Sequence, residues 1–172
     1  MASWCCRENT GMGPSLIDEI DEKLVDITKY YPGTNYACLL DSNGRLISGS
    51  AKADDELLSP NPDRFCGAVS QLQTAAVKFA QSLDKVGGCT ILHIFGDQNM
   101  FSCYVVLDKS QQSPSPSWIL AFYTEIALFE ETSDSDLDTT VADEGVAKIV
   151  LELESMLTGF IGPSSSHHRT NV

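Results

Sequence analysis

One histidine within the apolar part of the sequence is the main candidate for acid–base chemistry. His93 lies in an apolar run, and Asp97 and Cys103 follow it closely in the chain. Histidine is the most common general base near neutral pH, and a neighbouring carboxylate or thiol would orient it or act as a nucleophile. The alternative is a strand histidine that is packed or exposed at a sheet edge, and this interpretation is favoured.

Two short motifs resemble catalytic signatures but lack their essential residues. Gly11-Met12-Gly13-Pro14 has no following Lys-Ser or Lys-Thr and no preceding strand, so it does not match a phosphate-binding loop. Ser48-Gly49-Ser50 stands at the end of a predicted strand without a following helix, unlike the nucleophile elbow of a hydrolase. The sequence therefore predicts no catalytic residue and no cofactor, and we expect a protein that is not an enzyme.

The cysteines do not indicate a metal site or a disulfide framework. No pair has C-x-x-C spacing, and His167 and His168 lie near the carboxyl terminus, away from the other candidate ligands. Free cysteine in an apolar pattern behaves as a small hydrophobic residue. Four cysteines are predicted to lie in the core on this basis: Cys38, Cys66, Cys89 and Cys103.

The adjacent cysteines near the amino terminus allow a lipid modification. Cys5 and Cys6 follow Trp4 and could accept palmitate, whereas Ala2 replaces the glycine that N-myristoylation requires. One type of lipid signal gives only weak membrane anchoring. Two unmodified thiols in a flexible tail are the alternative.

The net charge of −13 excludes a nucleic-acid-binding protein. Only 11 basic residues are scattered among 24 acidic ones, whereas phosphate binding needs a face rich in lysine and arginine. Partners are expected to be proteins with neutral or basic surfaces. No apolar stretch reaches the ~20 residues that span a bilayer, and residues 1–13 lack the apolar region of a secretory signal. These features predict a soluble intracellular protein.

The first predicted elements are an amphipathic helix and a hairpin. Ser15 with Asp18 resembles a capping box, and Pro32 ends the helix. Two β-rich runs, 36–41 and 45–48, flank Ser42-Asn43-Gly44, and Asn-Gly supplies the positive φ angles of a tight turn. The apolar stripe of this helix contains Leu16, Ile20, Leu24, Ile27 and Tyr31.

The rest of the pattern predicts a helix, three strands and a final helix. Asn61, Pro62 and Asp63 begin the second helix, and Gly87-Gly88 ends it. Its predicted buried stripe contains Phe65, Val69, Leu72, Ala76, Phe79 and Leu83. The three strands are expected over residues 89–95, 100–107 and 118–124. The apolar side of the last helix contains Val146, Ile149, Val150, Leu153, Met156 and Leu157.

At 172 residues with 42% apolar content, the chain can bury one sizeable core. We expect an α/β fold with a single five-stranded, mainly antiparallel sheet, helices on both faces and the order α-β-β-α-β-β-β-α. The predicted organisation is a flexible N-terminal tail (1–13), the core (14–124), an acidic linker (125–142), a C-terminal helix (143–159) and a disordered tail (160–172).

Within the linker, Ser133 and Ser135 each precede an aspartate by three residues, a spacing that acid-directed kinases favour, so they are candidate phosphorylation sites. The alternative is a solvated acidic linker.

From residue 15 to residue 124 the sequence resembles the roadblock family. This family includes the dynein roadblock light chain, small subunits of the lysosomal Ragulator scaffold and bacterial regulators of Ras-like GTPases. The order of elements carries the resemblance, together with the segment from Ile17 to Ser50 and its hairpin Asp41-Ser42-Asn43-Gly44-Arg45-Leu46-Ile47-Ser48. The final helix is similar to the extra helix of members that associate with GTPases. An unrelated profilin-like or longin-like domain is the alternative.

The resemblance implies a domain that is completed by dimerisation. Middle helices would pack antiparallel and third strands would meet edge to edge, which here involves the helix 63–83 and the strand 89–95. An apolar edge strand is an association hazard unless it is paired, which agrees with this implication. The expected interface residues are Ala68, Gln71, Thr74, Ala75, Lys78, Thr90 and Leu92.

The implied function is a non-catalytic scaffold or adaptor. It would form a homodimer or a heterodimer with another roadblock-like domain and would bind or regulate a small Ras-like GTPase complex, in the manner of Ragulator. The alternatives are a dynein-associated adaptor that binds the dynein intermediate chain, or a longin- or profilin-like trafficking module. The expected location is the cytoplasm, with peripheral attachment to an endosomal or lysosomal membrane as the alternative.

Overall fold

The computed structural model of the protein describes residues 14–41, 43–51, 62–83, 89–107, 118–127 and 139–160. These residues form three long helices and five strands. The helices are α1 (Pro14–Asp26), α2 (Pro62–Ser82) and α3 (Thr140–Phe160), and a 3-10 turn over Ile27–Lys29 follows α1. The strands are β1 (Thr34–Leu40), β2 (Leu46–Ala51), β3 (Ile91–Phe95), β4 (Asn99–Leu107) and β5 (Trp118–Glu125).

The five strands form one sheet in the order β2-β1-β5-β4-β3. All four neighbouring pairs are antiparallel, so the predicted fold class and element order are confirmed. The hairpins β1–β2 and β3–β4 lie at opposite ends of this order, and β5 joins them at the centre. As a result β2 and β3 are the two edge strands of the described sheet.

Successive residues of β1 face opposite sides of the sheet, as strand geometry requires. Tyr36, Cys38 and Leu40 belong to the apolar cluster under α2, whereas Ala37 and Leu39 belong to the cluster under α1 and α3. Every residue of β1 is buried. The protein therefore has three layers, with α1 and α3 on one face of the sheet and α2 on the other.

The turn between β1 and β2 confirms the predicted Asn-Gly hairpin. Gly44 has a φ of +74°, a left-handed conformation that glycine adopts without strain. The Asp41 carboxylate accepts hydrogen bonds from the amides of Asn43 (2.7 Å) and Arg45 (2.9 Å). The short side chain of Asp41 thus provides an acceptor for the backbone amides of the turn, and this contact fixes the register of the hairpin.

The last helix packs directly on the sheet and on α1. Its side chains Val146, Leu153 and Leu157 are fully buried in the same cluster as Leu24 of α1. At the α1–α3 contact, Lys23 Nζ lies 2.5 Å from a carboxylate oxygen of Glu152. This pair is solvent-exposed, so the apolar contacts provide most of the stabilisation.

Helix boundaries differ from the prediction at both ends of α1 and of the final helix. The α-helical part of α1 ends at Asp26 and the 3-10 turn ends at Lys29, before Pro32. Because α1 begins at Pro14, Ser15 lies inside the helix and is not its N-cap. Proline suits this first position, since its missing N–H has no partner within a helix. The final helix begins at Thr140 and ends at Phe160, so the last residues assigned to the acidic linker are helical.

Strand β3 begins at Ile91, two residues later than predicted. Cys89 consequently lies outside the strand and is only half-buried, whereas Cys38, Cys66 and Cys103 are buried as predicted. The predictions for Asn61, Gly87-Gly88, the tail 1–13 and the tail 160–172 fall outside the described residues, except that Phe160 is the last residue of α3; those for Cys5, Cys6, Ser133 and Ser135 also fall outside them. Within the described ranges, no helix combines the length and apolarity that crossing a bilayer requires.

Candidate interaction surface

The side of α2 that faces the sheet is narrow and uses small or polar residues. Cys66, Val69, Gln73 and Ala80 are buried along this stripe. The Gln73 amide nitrogen donates to the Cys89 carbonyl at 3.5 Å, and its oxygen lies 3.6 Å from the Cys103 thiol. A buried amide is tolerated at this position because both of its ends have partners.

A second apolar stripe of α2 is left largely uncovered by the sheet. At 3.6 residues per turn, spacings of four, three, four and four residues place one set of side chains on a single flank of the helix. Phe79 is 68% exposed and Leu83, which directly follows the helix, is 41% exposed. We call this flank the α2 ridge; it consists of Ala68, Leu72, Ala75, Phe79 and Leu83.

The edge strand β3 is also apolar and exposed. Ile91 and Ile94 are each 42% exposed and Phe95 is 50% exposed. Among the described residues, β3 pairs only with β4, so one row of its backbone groups is not used within the sheet. Leu92 of β3 packs into the same cluster as Val69 of α2, so the edge strand and the helix are close neighbours.

The interface residues expected from the sequence are all at least partly accessible. Ala68, Gln71, Thr74, Ala75, Lys78 and Thr90 are exposed, and Leu92 is half-buried. They do not form one face, however. Ala68 and Ala75 lie on the α2 ridge, Gln71 and Lys78 point away from the sheet, and Thr74 lies on the opposite flank.

The sequence pattern assigns two residues of the ridge to the core, and the structure corrects this prediction. Phe79 and Leu83 are spaced as a continuation of the apolar stripe that begins at Phe65, which predicted their burial. The structure instead buries the stripe that contains Gln73, one flank away. One feature of the sequence indicated that part of this stripe would be exposed. The apolar sector of α2 is wide, whereas a helix that packs on a sheet needs only one buried stripe.

His93 does not meet either residue that was considered as its catalytic partner. It shares the α1 and α3 side of the sheet with Ser102, whereas Cys103 faces α2 and Asp97 is exposed in the β3–β4 turn. Its actual contacts are Ser102 Oγ, 2.9 Å from Nδ1, and Asp143 Oδ1, 3.3 Å from Nε2. The less favoured hypothesis, a general base paired with Asp97 or Cys103, is therefore wrong, and His93 is a packed strand histidine, as the favoured interpretation held.

The Ser102–His93–Asp143 cluster does not have the geometry of a hydrolase triad. Ser102 is completely buried, so its hydroxyl has no access to a substrate. The imidazole also contacts the serine through Nδ1 and the carboxylate through Nε2, the reverse of the catalytic arrangement. The cluster is a packed polar network between β3, β4 and the start of α3.

Two tyrosines complete this network. Tyr31 donates to Asp143 Oδ1 at 2.5 Å, and Tyr104 donates to the same oxygen. Burial, followed by the hydrogen bond to the Asp143 carboxylate, raises the pKa of both phenols above the usual range. Both tyrosines therefore remain protonated donors, and one carboxylate joins α3 to β4 and to the turn after α1.

The buried thiols are unreactive in character. Burial raises the pKa of the Cys103 thiol to about 12 and that of the Cys38 thiol well above its usual range. The thiolate is the nucleophile and metal ligand, so both residues act as apolar side chains here. No cluster of three or more potential metal ligands occurs within the described parts of the chain.

An open cleft of about 400 Å³ lies between the end of α1 and β1. Leu24, Val25 and Thr28 form one wall, and residues 32–37 form the other. Among the described residues that line it, Tyr36 is the one ionisable side chain, and burial raises the pKa of this phenol above the usual range.

The layers and strand order define the class of fold. An antiparallel five-stranded sheet with α1 and α3 on one face and α2 on the other is the roadblock fold. Three solved structures share it with TM-scores of 0.65, 0.65 and 0.58. The resemblance that the sequence indicated is thus confirmed at the level of the fold.

The first of these structures is described as MglB with a tetrameric arrangement; it is 12% identical, with 84% of this chain and 92% of that chain covered. The second is the gliding protein MglB from Thermus thermophilus, also 12% identical, covering 84% of this chain and 93% of that one. The third is a Roadblock/LC7 domain from Streptomyces avermitilis, 15% identical, covering 80% and 96%. No protein-family model and no curated protein sequence matches this chain.

Proposed function

We propose that the protein is a non-catalytic scaffold that pairs with a second roadblock-type domain through the α2 ridge and the β3 edge. The observation that carries this proposal is the adjacency of an apolar helix flank and an apolar edge strand that the described parts of the chain leave uncovered. Such an edge is a template for pairing with another chain. A partner that covers both would extend the sheet and bury the ridge in one contact.

The exposed apolar side chains would contribute binding energy to such a contact. Fully burying a large apolar side chain contributes about 1.5–3 kcal/mol. Phe79, Leu83 and Ile94 are 41–68% exposed on the α2 side of the sheet, so a partner that covers the ridge and the edge would gain part of this amount at each. Ile91 and Phe95, which are 42% and 50% exposed, face the side of α1 and α3. Aromatic anchors of this kind dominate the binding energy of most interfaces.

We further propose that the resulting pair binds a small Ras-like GTPase. Support comes from α3, which is docked on the sheet and corresponds in place to the extra helix of roadblock members that associate with GTPases. Dynein-type members generally end after the fifth strand, so an adaptor that binds the dynein intermediate chain is the alternative. A Ragulator-like complex and attachment to an endosomal or lysosomal membrane remain predictions, as does palmitoylation of Cys5 and Cys6.

Native mass spectrometry of the full chain, purified with and without its associated proteins, tests the pairing. We expect a mass of two chains, or of one chain with another roadblock-type domain. A lone monomer under both conditions would contradict the proposal.

The GTPase step is tested by capture with a Ras-like GTPase loaded with GDP or a GTP analogue, against a peptide of the dynein intermediate chain. Capture of the peptide alone would favour the dynein-linked adaptor.

The acidic linker is predicted to tune partner affinity through phosphorylation of Ser133 and Ser135. Each phosphate adds about −1.5 to −2 charge, which strengthens the attraction to a basic partner within a Debye length of ~8 Å. Replacing both serines with aspartate should therefore raise affinity at low salt, and replacing both with alanine should not. Partner affinity measured at low and high salt checks this, and equal affinities for the two variants at both salts would leave the linker as simple solvation.

A further inference from the structure

His93 lies at the centre of the β3 edge strand and also touches the first turn of α3. Its Nδ1 lies 2.9 Å from Ser102 Oγ on β4, and its Nε2 lies 3.3 Å from Asp143 Oδ1 on α3. Nε2 is completely buried and, among the described residues, makes no hydrogen bond. Burying an imidazole nitrogen costs free energy unless its neighbour complements its protonation state. A protonated nitrogen needs an acceptor beside it, and an unprotonated one needs a donor.

The neighbours of Nε2 decide which nitrogen carries the proton. Asp143 is a carboxylate acceptor, and Tyr31 and Tyr104 already donate to its Oδ1. A bare lone pair on Nε2 would face a negatively charged oxygen, whereas a proton there would be attracted to it. Ser102 can then donate to Nδ1, because a hydroxyl can act as donor or acceptor.

We propose that His93 is a positioning residue that latches the β3 edge to α3 through a proton on Nε2, which is attracted to the Asp143 carboxylate 3.3 Å away without forming an aligned hydrogen bond. The Asp143 carboxylate thereby connects four segments: β3, β4, the turn after α1 and its own helix. Since the other side of β3 is the proposed pairing edge, a partner strand would act on His93 and hence on the start of α3. This last step rests on the proposed function, whereas the latch itself is a property of one chain.

The tautomer of His93 is the first test. Nitrogen NMR of the imidazole in the full chain should show Nε2 protonated and Nδ1 as an acceptor. Replacing Asp143 with Asn should move the Nε2 resonance, whereas Glu144→Gln, at an exposed acid of the same helical turn, should leave it unchanged. A neutral imidazole with its proton on Nδ1 would overturn the proposal.

Hydrogen exchange at α3 separates the latch from simple space filling. The Asp143 amide donates to the Thr139 carbonyl at 2.7 Å, so its exchange reports the first turn of the helix. His93→Leu fills the same space without a donor and should speed this exchange by about 10-fold. His93→Gln keeps a donor and an acceptor and should restore it to within about 2-fold. Equal exchange in the Leu and Gln variants would overturn the latch.

A third measurement tests whether association of a partner at the β3 edge affects the first turn of α3. Exchange of the Asp143 amide should slow on association in the natural chain and in His93→Gln, but not in His93→Leu. A slowing of equal size in all three would show that association acts on α3 by another route. If the protein never associates, the proposed function fails, while the tautomer and the first exchange experiment still decide the latch.

Discussion

Replacing Phe79 with glutamate is expected to weaken association with the roadblock-type partner by at least about 100-fold. The side chain is 68% exposed in the single chain, so the substitution should leave the stability of the domain nearly unchanged. In the proposed pair the same position is buried, where an unpaired charge costs about 3–5 kcal/mol. Ala75→Glu, one turn earlier on the ridge, should act in the same direction.

Thr74→Glu is the matched control, since it adds the same charge to an exposed position on the other flank of α2. It should leave association within a few-fold of the natural value. Sizing chromatography with mass detection, together with a urea titration of each variant, separates loss of pairing from loss of folding. Retention of the natural mass by Phe79→Glu would refute the ridge, and dissociation by Thr74→Glu alone would move the interface to the opposite flank.

Local sequence signals were enough to predict the fold. The first helical segment ends shortly before Pro32, Asn43-Gly44 specifies the first hairpin, and the residues 96–99 specify the second. Each of these signals acts within a few residues and does not depend on the rest of the chain. The element order that they produce is already characteristic of the roadblock fold.

The candidate surface was only partly predictable because α2 has two adjacent apolar stripes. Periodicity shows that Phe79 shares a flank with Leu72, but it does not show which flank the sheet will cover. The covered stripe includes Gln73, whose burial depends on the Cys89 carbonyl and the Cys103 thiol. These partners come from another part of the chain, so hydropathy alone assigns Gln73 to the surface and Phe79 to the core.

The His93–Asp143 contact could not be predicted from spacing for a related reason. The two residues meet only when α3 packs on the face of the sheet to which the His93 side chain of β3 points. From the sequence, Asp143 is one acid among many in an acidic segment. Its special position follows from Tyr31 and Tyr104, which surround it once the three layers have formed.

The close contact at Gly145 between α3 and the turn that follows α1 gives a stability prediction of large effect. A β-carbon built on Gly145 would lie 2.0 Å from Cδ1 of Tyr30, with two further ring atoms at 2.4 Å. Gly145→Ala should therefore lower the free energy of unfolding by about 1–3 kcal/mol, because the half-buried ring must move. The better helix propensity of alanine, about 1 kcal/mol, offsets only part of this cost.

Gly67→Ala provides a control of opposite sign within the same chain. Gly67 is exposed on α2, and a β-carbon there would meet no atom within 4 Å, so alanine should stabilise the protein by up to about 1 kcal/mol. Combining Gly145→Ala with Tyr30→Ala should remove the clash, so the double variant should lose less stability than the two single losses added together. Urea unfolding of the four variants measures these differences. Stabilisation by Gly145→Ala would mean that Tyr30 does not cover the glycine and that α3 does not dock against the end of α1 as the structure places it.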